Sequence, residues 1–188
     1  MARIVPAQAP YTDAVRGFLE RTMPPGIPPL VLFTTLARDE RLFGRFSAAA
    51  LLDRGHLTLR QRELVIGRTT ARCASEYEWG VHATFFGARA GFDEAQLSAL
   101  VHGTSDATIW SHDERTLLRV CDSLHERVDI DDALWAELRA AYAEEAIIEV
   151  LMLAGFYRTV SYLTNALRLD LEPTAMRFPG APAHEAHA

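Results

Sequence analysis

From residue 30 to residue 170 the chain contains no proline. Proline breaks a helix interior by removing a hydrogen bond and clashing with the preceding turn, so this long gap leaves room for one helix after another. The nine prolines gather at the ends. Six lie in the first 30 residues, including Pro24-Pro25-Gly26-Ile27-Pro28-Pro29, which cannot be a single helix. Pro173, Pro179 and Pro182 punctuate the other end. Three zones follow: a Pro-rich N-terminal extension with short helices over 1–38, a helical domain over 39–171, and a C-terminal tail over 172–188.

The helix starts are marked. Thr58 and Gln61 make a capping box ahead of a helix over 59–71. Asp93 and Gln96 are a looser version, with Asp as cap, before a helix ending at 101. Ser111 and Glu114 box the start of a helix over 112–127. Asp131 or Asp132 caps 133–142, and a longer apolar helix is expected over 144–169. Upstream, 30–37 and 39–52 also fit helices. Runs such as Leu64-Val65-Ile66 and Ile147-Ile148-Glu149-Val150 follow the helical period better than strand alternation. The expected fold class is all-α, a compact domain of about seven or eight helices.

Composition narrows the function. Hydrophobic residues make up 49% and charged residues 23%, the range of an ordinary globular domain. The net charge of −6 argues against nucleic acid or an anionic membrane as the main partner. All 19 basic residues are arginine, which excludes a lysine Schiff base and a P-loop. Cys73 and Cys121 are too few for a disulfide scaffold or a cysteine-only zinc site. No uninterrupted apolar run reaches the length of a membrane span, and the N-terminus lacks an apolar signal core, so a cytoplasmic location is expected.

One segment carries chemistry. With the stretch from Ser75 onward taken as helix, His82, Phe85, Arg89 and Ser75 fall on the same side as Glu78, flanked by apolar residues. The opposite, outward side holds only Glu76, Gly80 and Gly87. A carboxylate and an imidazole one turn apart on an apolar face are costly unless paired or functional. Glu63 repeats the anomaly one helix earlier, with Leu59, Ile66, Gly67 and Thr70 beside it and Arg68 and Arg72 opposite. Ser75-x-x-Glu78 also reads as a capping box, and Glu63 also reads as a buried partner for an arginine. If the two helices kink near 72–75, Glu63 reaches His82 within hydrogen-bond distance.

The pattern Glu-x(11)-Ser-x-x-Glu-x-x-x-His, with Tyr77-Glu78-Trp79-x-x-His82 inside it, resembles the signature of the carboxymuconolactone decarboxylase family. The alkyl hydroperoxidase D branch of that family has cysteines at the positions held here by Ser75 and Glu78, and neither of these can form its disulfide. The Tyr-Glu-Trp-x-x-His form is similar to the decarboxylase branch, and the stretch from Glu144 to Pro173 is similar to the family's C-terminal helix. The resemblance covers roughly 39–173. It implies an all-helical alkyl hydroperoxidase D-like fold that assembles as a trimer or hexamer, with sites near subunit contacts. It also implies lyase or isomerase chemistry on a small organic acid or lactone, without metal or organic cofactor. Glu78, His82 and Glu63 are then the candidate catalytic residues, and Ser75, Tyr77, Trp79 and Cys73 the candidate substrate contacts. Core packing is the alternative for Tyr77, Trp79 and Cys73.

Other signals are weaker. Glu78 and His82 could offer two metal ligands, but HExxH is absent and no third ligand is evident. His56, His102, His112 and His125 are scattered, and His184 and His187 fall in the tail. No Gly-x-Ser-x-Gly elbow occurs. Cys73 alone would have to carry any thiol peroxidase chemistry. A homo-oligomer is expected on a second ground: Met152, Phe156, Tyr157 and Tyr162 occupy different faces of the 144–169 helix, so more than one side needs cover.

Overall fold

Each capping box forms. In the computed structural model, which describes residues 2–180, the Thr58–Gln61, Asp93–Gln96 and Ser111–Glu114 pairs are all reciprocal. They open α4 (Leu59–Arg72), α6 (Glu94–His102) and α7 (His112–Arg127). Asp131, rather than Asp132, accepts from the Leu134 amide and opens α8 (Asp132–Ala141). The remaining helices are α1 (Asp13–Thr22), α2 (Val31–Leu36), α3 (Glu40–Ala48), α5 (Glu76–His82) and α9 (Glu144–Ala166). The fold is all-helical, with nine α-helices among the described residues rather than seven or eight. The additional helix is α1, in the N-terminal extension, where Thr12 caps it through the Val15 amide.

Helix α4 is the axis of the fold, with α7 and α9 packed along it and α5 and α6 beside them. Its Leu64, Val65 and Ile66 have no exposed surface. A helix surrounded this completely has nowhere to send a charge, and Arg68 is resolved by a two-point bond to Asp122 on α7, at 2.7 and 2.8 Å. Arg72 pairs with Glu126 at 2.5 Å. Helix α9 has the length and hydropathy of a membrane span. Its Ile147, Val150, Leu153, Ala154, Tyr157 and Val160 are buried in the bundle, so the apolar run serves the core.

Helix α4 ends at a corner where Ala74 takes φ of 51°. The Ser75 amide returns to Thr70 and the Ala74 amide to Ala71, the paired bonds of a left-handed helix stop. The Ser75–Glu78 capping box does not form. Ser75 Oγ lies instead 2.8 Å from Thr164 Oγ1 of α9, tying the corner to the core.

Two further expectations are corrected. The helix from Ser75 is not regular throughout: after His82 it widens into a π turn, Ala83–Gly87. The expected outward face of Glu76, Gly80 and Gly87 is also covered. Residues 172–180, expected as the start of a tail, run over Glu76 and Gly80 as a strap, while Leu97 of α6 covers Gly87. The Phe178 amide bonds to Glu76 at 3.0 Å, the Met176 amide to Thr84 Oγ1 at 2.8 Å, and His102 Nε2 to the Pro179 carbonyl at 2.7 Å. Gly80 is the crossing point, since a Cβ there would overlap the Met176 carbonyl oxygen. Pro182, His184 and His187 lie outside the described residues.

Candidate active site

The α4–α5 corner turns Glu63 toward the start of the π turn. Glu63 Oε2 lies 2.7 Å from His82 Nδ1, which therefore donates, and Glu63 Oε1 accepts from Arg62 Nε at 3.0 Å. On the other side of the imidazole, His82 Nε2 is 3.4 Å from Glu78 Oε1. All three side chains are more than nine-tenths buried. The rings of Tyr157 and Phe86 stand against the imidazole at 5.0 and 5.3 Å between centroids.

Burial by itself would lower the His82 pKa. The two carboxylates, Glu63 first by charge and hydrogen bond and then Glu78, outweigh it and raise the value to about 9. At neutral pH the imidazole is therefore a cation, balanced together with Arg62 against two carboxylates. One atom in this set has no protein partner: Glu78 Oε2 is fully buried and makes no hydrogen bond. A buried acceptor without a donor costs on the order of 1–3 kcal/mol, a penalty that a ligand group can remove.

Glu78 and His82 form the polar end of a cavity of about 280 Å³. Apart from Thr22 and Ser47 the rest of the wall is mainly apolar, with Phe85 and Phe86 from the π turn, Phe156 and Tyr157 from α9, Phe46 from α3, and Phe18, Leu32 and Phe33 from the N-terminal extension. Arg89 stands at the rim. The extension is a wall of the site, which the sequence reading did not assign to it. The available signal was its aromatic residues: Phe18 and Phe33 interlock edge to face with each other and with Phe43 of α3, with centroids 5.1 to 6.4 Å apart. The signal for Arg89 is its spacing, which puts it on the Glu78 side of the helix.

The four candidate substrate contacts lie elsewhere. The Tyr77 hydroxyl accepts from the Leu32 amide at 2.9 Å and donates to Glu172, so it latches the N-terminal wall to the strap. Burial, then Glu172, raises its pKa above the usual phenol range. Trp79 faces the strap and packs on Phe178 at 5.3 Å. Ser75 is taken by Thr164. Cys73 is half-buried in a separate depression, 3.7 Å from His125 Nδ1, and burial pushes its thiol pKa up. None of the four lines the Glu78–His82 cavity, because the corner and the strap occupy the faces they present. Among the described residues no group of three or more His, Cys, Asp or Glu side chains is arranged to hold a metal ion.

This helical arrangement is the fold of the alkylhydroperoxidase AhpD type. A peroxidase-related protein from Silicibacter sp. TM1040 matches it with a TM-score of 0.79 at 18% identity, over 92% of each chain. An AhpD-core, peroxidase-related protein from Ralstonia eutropha JMP134 matches with a TM-score of 0.72 at 17% identity, over 92% of this chain and 93% of that one. The debrominase Bmp8, in complex with 2,3,4-tribromopyrrole, matches with a TM-score of 0.70 at 17% identity, over 90% and 91%. No protein-family model and no curated protein matches the chain in sequence.

Proposed function

We propose that the chain is a cofactor-free lyase or isomerase of the carboxymuconolactone decarboxylase type, moving a proton on a small carboxylated or lactone substrate. The observation that carries this reading is the Glu78 carboxylate, one of its oxygens unpartnered, lining a mainly apolar cavity beside an imidazolium held by Glu63. Loss of carbon dioxide or of a proton next to a carbonyl sends the electron pair of the broken bond onto oxygen. His82, cationic at neutral pH, stabilises that oxyanion. Glu78 exchanges the proton at carbon through its carboxylate, and the apolar walls exclude competing water. Glu63 holds the imidazole through Nδ1, and Nε2 lies 3.4 Å from Glu78 Oε1, which sets the two reacting groups side by side. One structural neighbour is solved with 2,3,4-tribromopyrrole, a small flat ring of a size this cavity admits.

The test is turnover of a panel of small unsaturated acids and lactones, 4-carboxymuconolactone among them, followed by deuterium incorporation from solvent. Glu78→Gln and His82→Ala are each expected to lose about a hundredfold or more in kcat. Unchanged turnover in both variants overturns the mechanism.

A second reading, thiol-dependent peroxidase activity, has one observation in its favour: the 3.7 Å contact between Cys73 and His125. Against it stands the upward shift of the thiol, which lowers the thiolate fraction at neutral pH. Peroxide consumption that disappears in Cys73→Ser would favour this reading over the lyase.

A further inference from the structure

The cavity has two polar ends of opposite character. At the inner end Glu78 Oε2 lacks a donor. At the rim Arg89 is exposed, and among the described residues its guanidinium contacts only a ring face, Phe86, at 5.6 Å from the centroid, with no carboxylate paired to it. Helical side chains lean toward the N-terminus, so Arg89 reaches back one turn over Phe86, and Phe86 in turn stacks toward His82 at 5.3 Å. Phe86 is thus stacked by the Arg89 guanidinium, by His82 and also by the Arg62 guanidinium, 5.6 Å from its centroid. Phe18, Phe33, Phe46 and Phe156 also line the cavity, whose volume of about 280 Å³ admits one ring with short substituents.

We propose that Arg89 is the anion-recognition residue of this site, and that the ligand is a flat, single-ring or conjugated carboxylic acid with a hydroxyl or N–H at its far end. The carboxylate sits on Arg89, the ring lies among Phe18, Phe33, Phe46 and Phe156, and the far hydroxyl or N–H donates to the Glu78 carboxylate. The carboxylate at Arg89 is the handle, and the reacting group is the one that meets Glu78 and His82. This rests on the proposed function for the location of the site, but it concerns binding alone.

Three probes separate the contributions by calorimetric titration of the full chain: 4-hydroxybenzoate, benzoate and phenol. Wild type is expected to bind 4-hydroxybenzoate about tenfold more tightly than either of the others, the size of one charge-assisted bond at a partly exposed site. Arg89→Leu is expected to weaken 4-hydroxybenzoate and benzoate about tenfold and leave phenol unchanged, while Arg89→Lys recovers part of the loss. Arg89 is exposed, so an unchanged melting temperature verifies that both variants fold. Equal affinity for phenol and 4-hydroxybenzoate, an Arg89→Leu variant indistinguishable from wild type, or no binding of 4-hydroxybenzoate at millimolar concentration overturns the proposal. Benzoate binding as tightly as 4-hydroxybenzoate overturns the Glu78 contact. Turnover is not measured, so a failed lyase mechanism and a failed anion site give different results.

Discussion

Glu63 and His82 are nineteen residues apart in the chain, and their side chains meet at 2.7 Å inside the bundle. The approach depends on the left-handed stop at Ala74, which ends α4 and lets α5 fold back beside it. It leaves the imidazole between two carboxylates, with aromatic rings on its other sides.

The first consequence is a pH dependence. The His82 pKa is raised from 6.5 to about 9, because Glu63 and Glu78 together outweigh the opposing effect of burial. A raised cation contributes its full stability below its unfolded pKa and loses it as pH climbs through the folded value. Stability should therefore decline between pH 6.5 and about 9, by on the order of 3 kcal/mol. Imidazole NMR should show a midpoint near 9 for His82. Glu63→Gln is expected to lower that midpoint by about one unit or more and flatten the decline. A His82 midpoint near 6.5 would contradict the pairing.

The Tyr77 latch is testable by removing one oxygen. Tyr77→Phe leaves the buried Leu32 amide without an acceptor and Glu172 without its phenol donor. The expected cost is about 1–3 kcal/mol in denaturant unfolding. Faster hydrogen exchange should appear at α2, where the Val31 amide also depends on Glu172.

Gly80 tests the strap. Alanine favours a helix interior over glycine by roughly 1 kcal/mol, so Gly80→Ala would stabilise a free α5. Here the added methyl meets the Met176 carbonyl. The net effect is expected to be a loss of about 1–3 kcal/mol, with increased proteolysis within 172–180. A higher melting temperature would show that the strap does not press on α5.

Arg68 and Asp122 should behave as a unit. Arg68 is 3% exposed, so removing Asp122 strands its guanidinium in the core, whereas Asp122 is part-exposed and keeps Arg72 at 3.4 Å. Asp122→Ala is expected to cost about 3–5 kcal/mol, and the Arg68→Met, Asp122→Leu double variant much less than the sum of the single changes. Additive losses would mean that the bidentate pair is not coupled.

Oligomer formation is the last expectation. Ile148, Met152 and Tyr162 of α9 are 57% to 58% exposed, an apolar surface that a second copy of the chain would cover. Light scattering is expected to return a multiple of 20.9 kDa at micromolar concentration, and a monomer would refute it.

The helical frame was legible because its signals are local. A capping box needs only residues three apart, and α7 begins and ends where Ser111, Glu114 and the apolar period put it. Glu63, Glu78 and His82 were legible for a related reason: each is a charged group on an apolar helix face, a cost visible within one or two turns. Tyr77, Trp79, Ser75 and Cys73 carried no such mark, since an aromatic or small polar side chain is at home in a core. Only the fold decides whether each one meets a ligand, Thr164, Phe178 or Glu172. The same holds for the walls of the cavity. Phe18 and Phe33 in the extension, Phe46 on α3 and Phe156 on α9 are distant in sequence, and they face one cavity because burying their surfaces together stabilises the fold more than leaving each in water. The strap is the strongest case. Pro173 and Pro179 correctly rule out another long helix over 172–180, but a chain without its own periodicity acquires a position only from what it covers, here Gly80, Trp79 and Glu76.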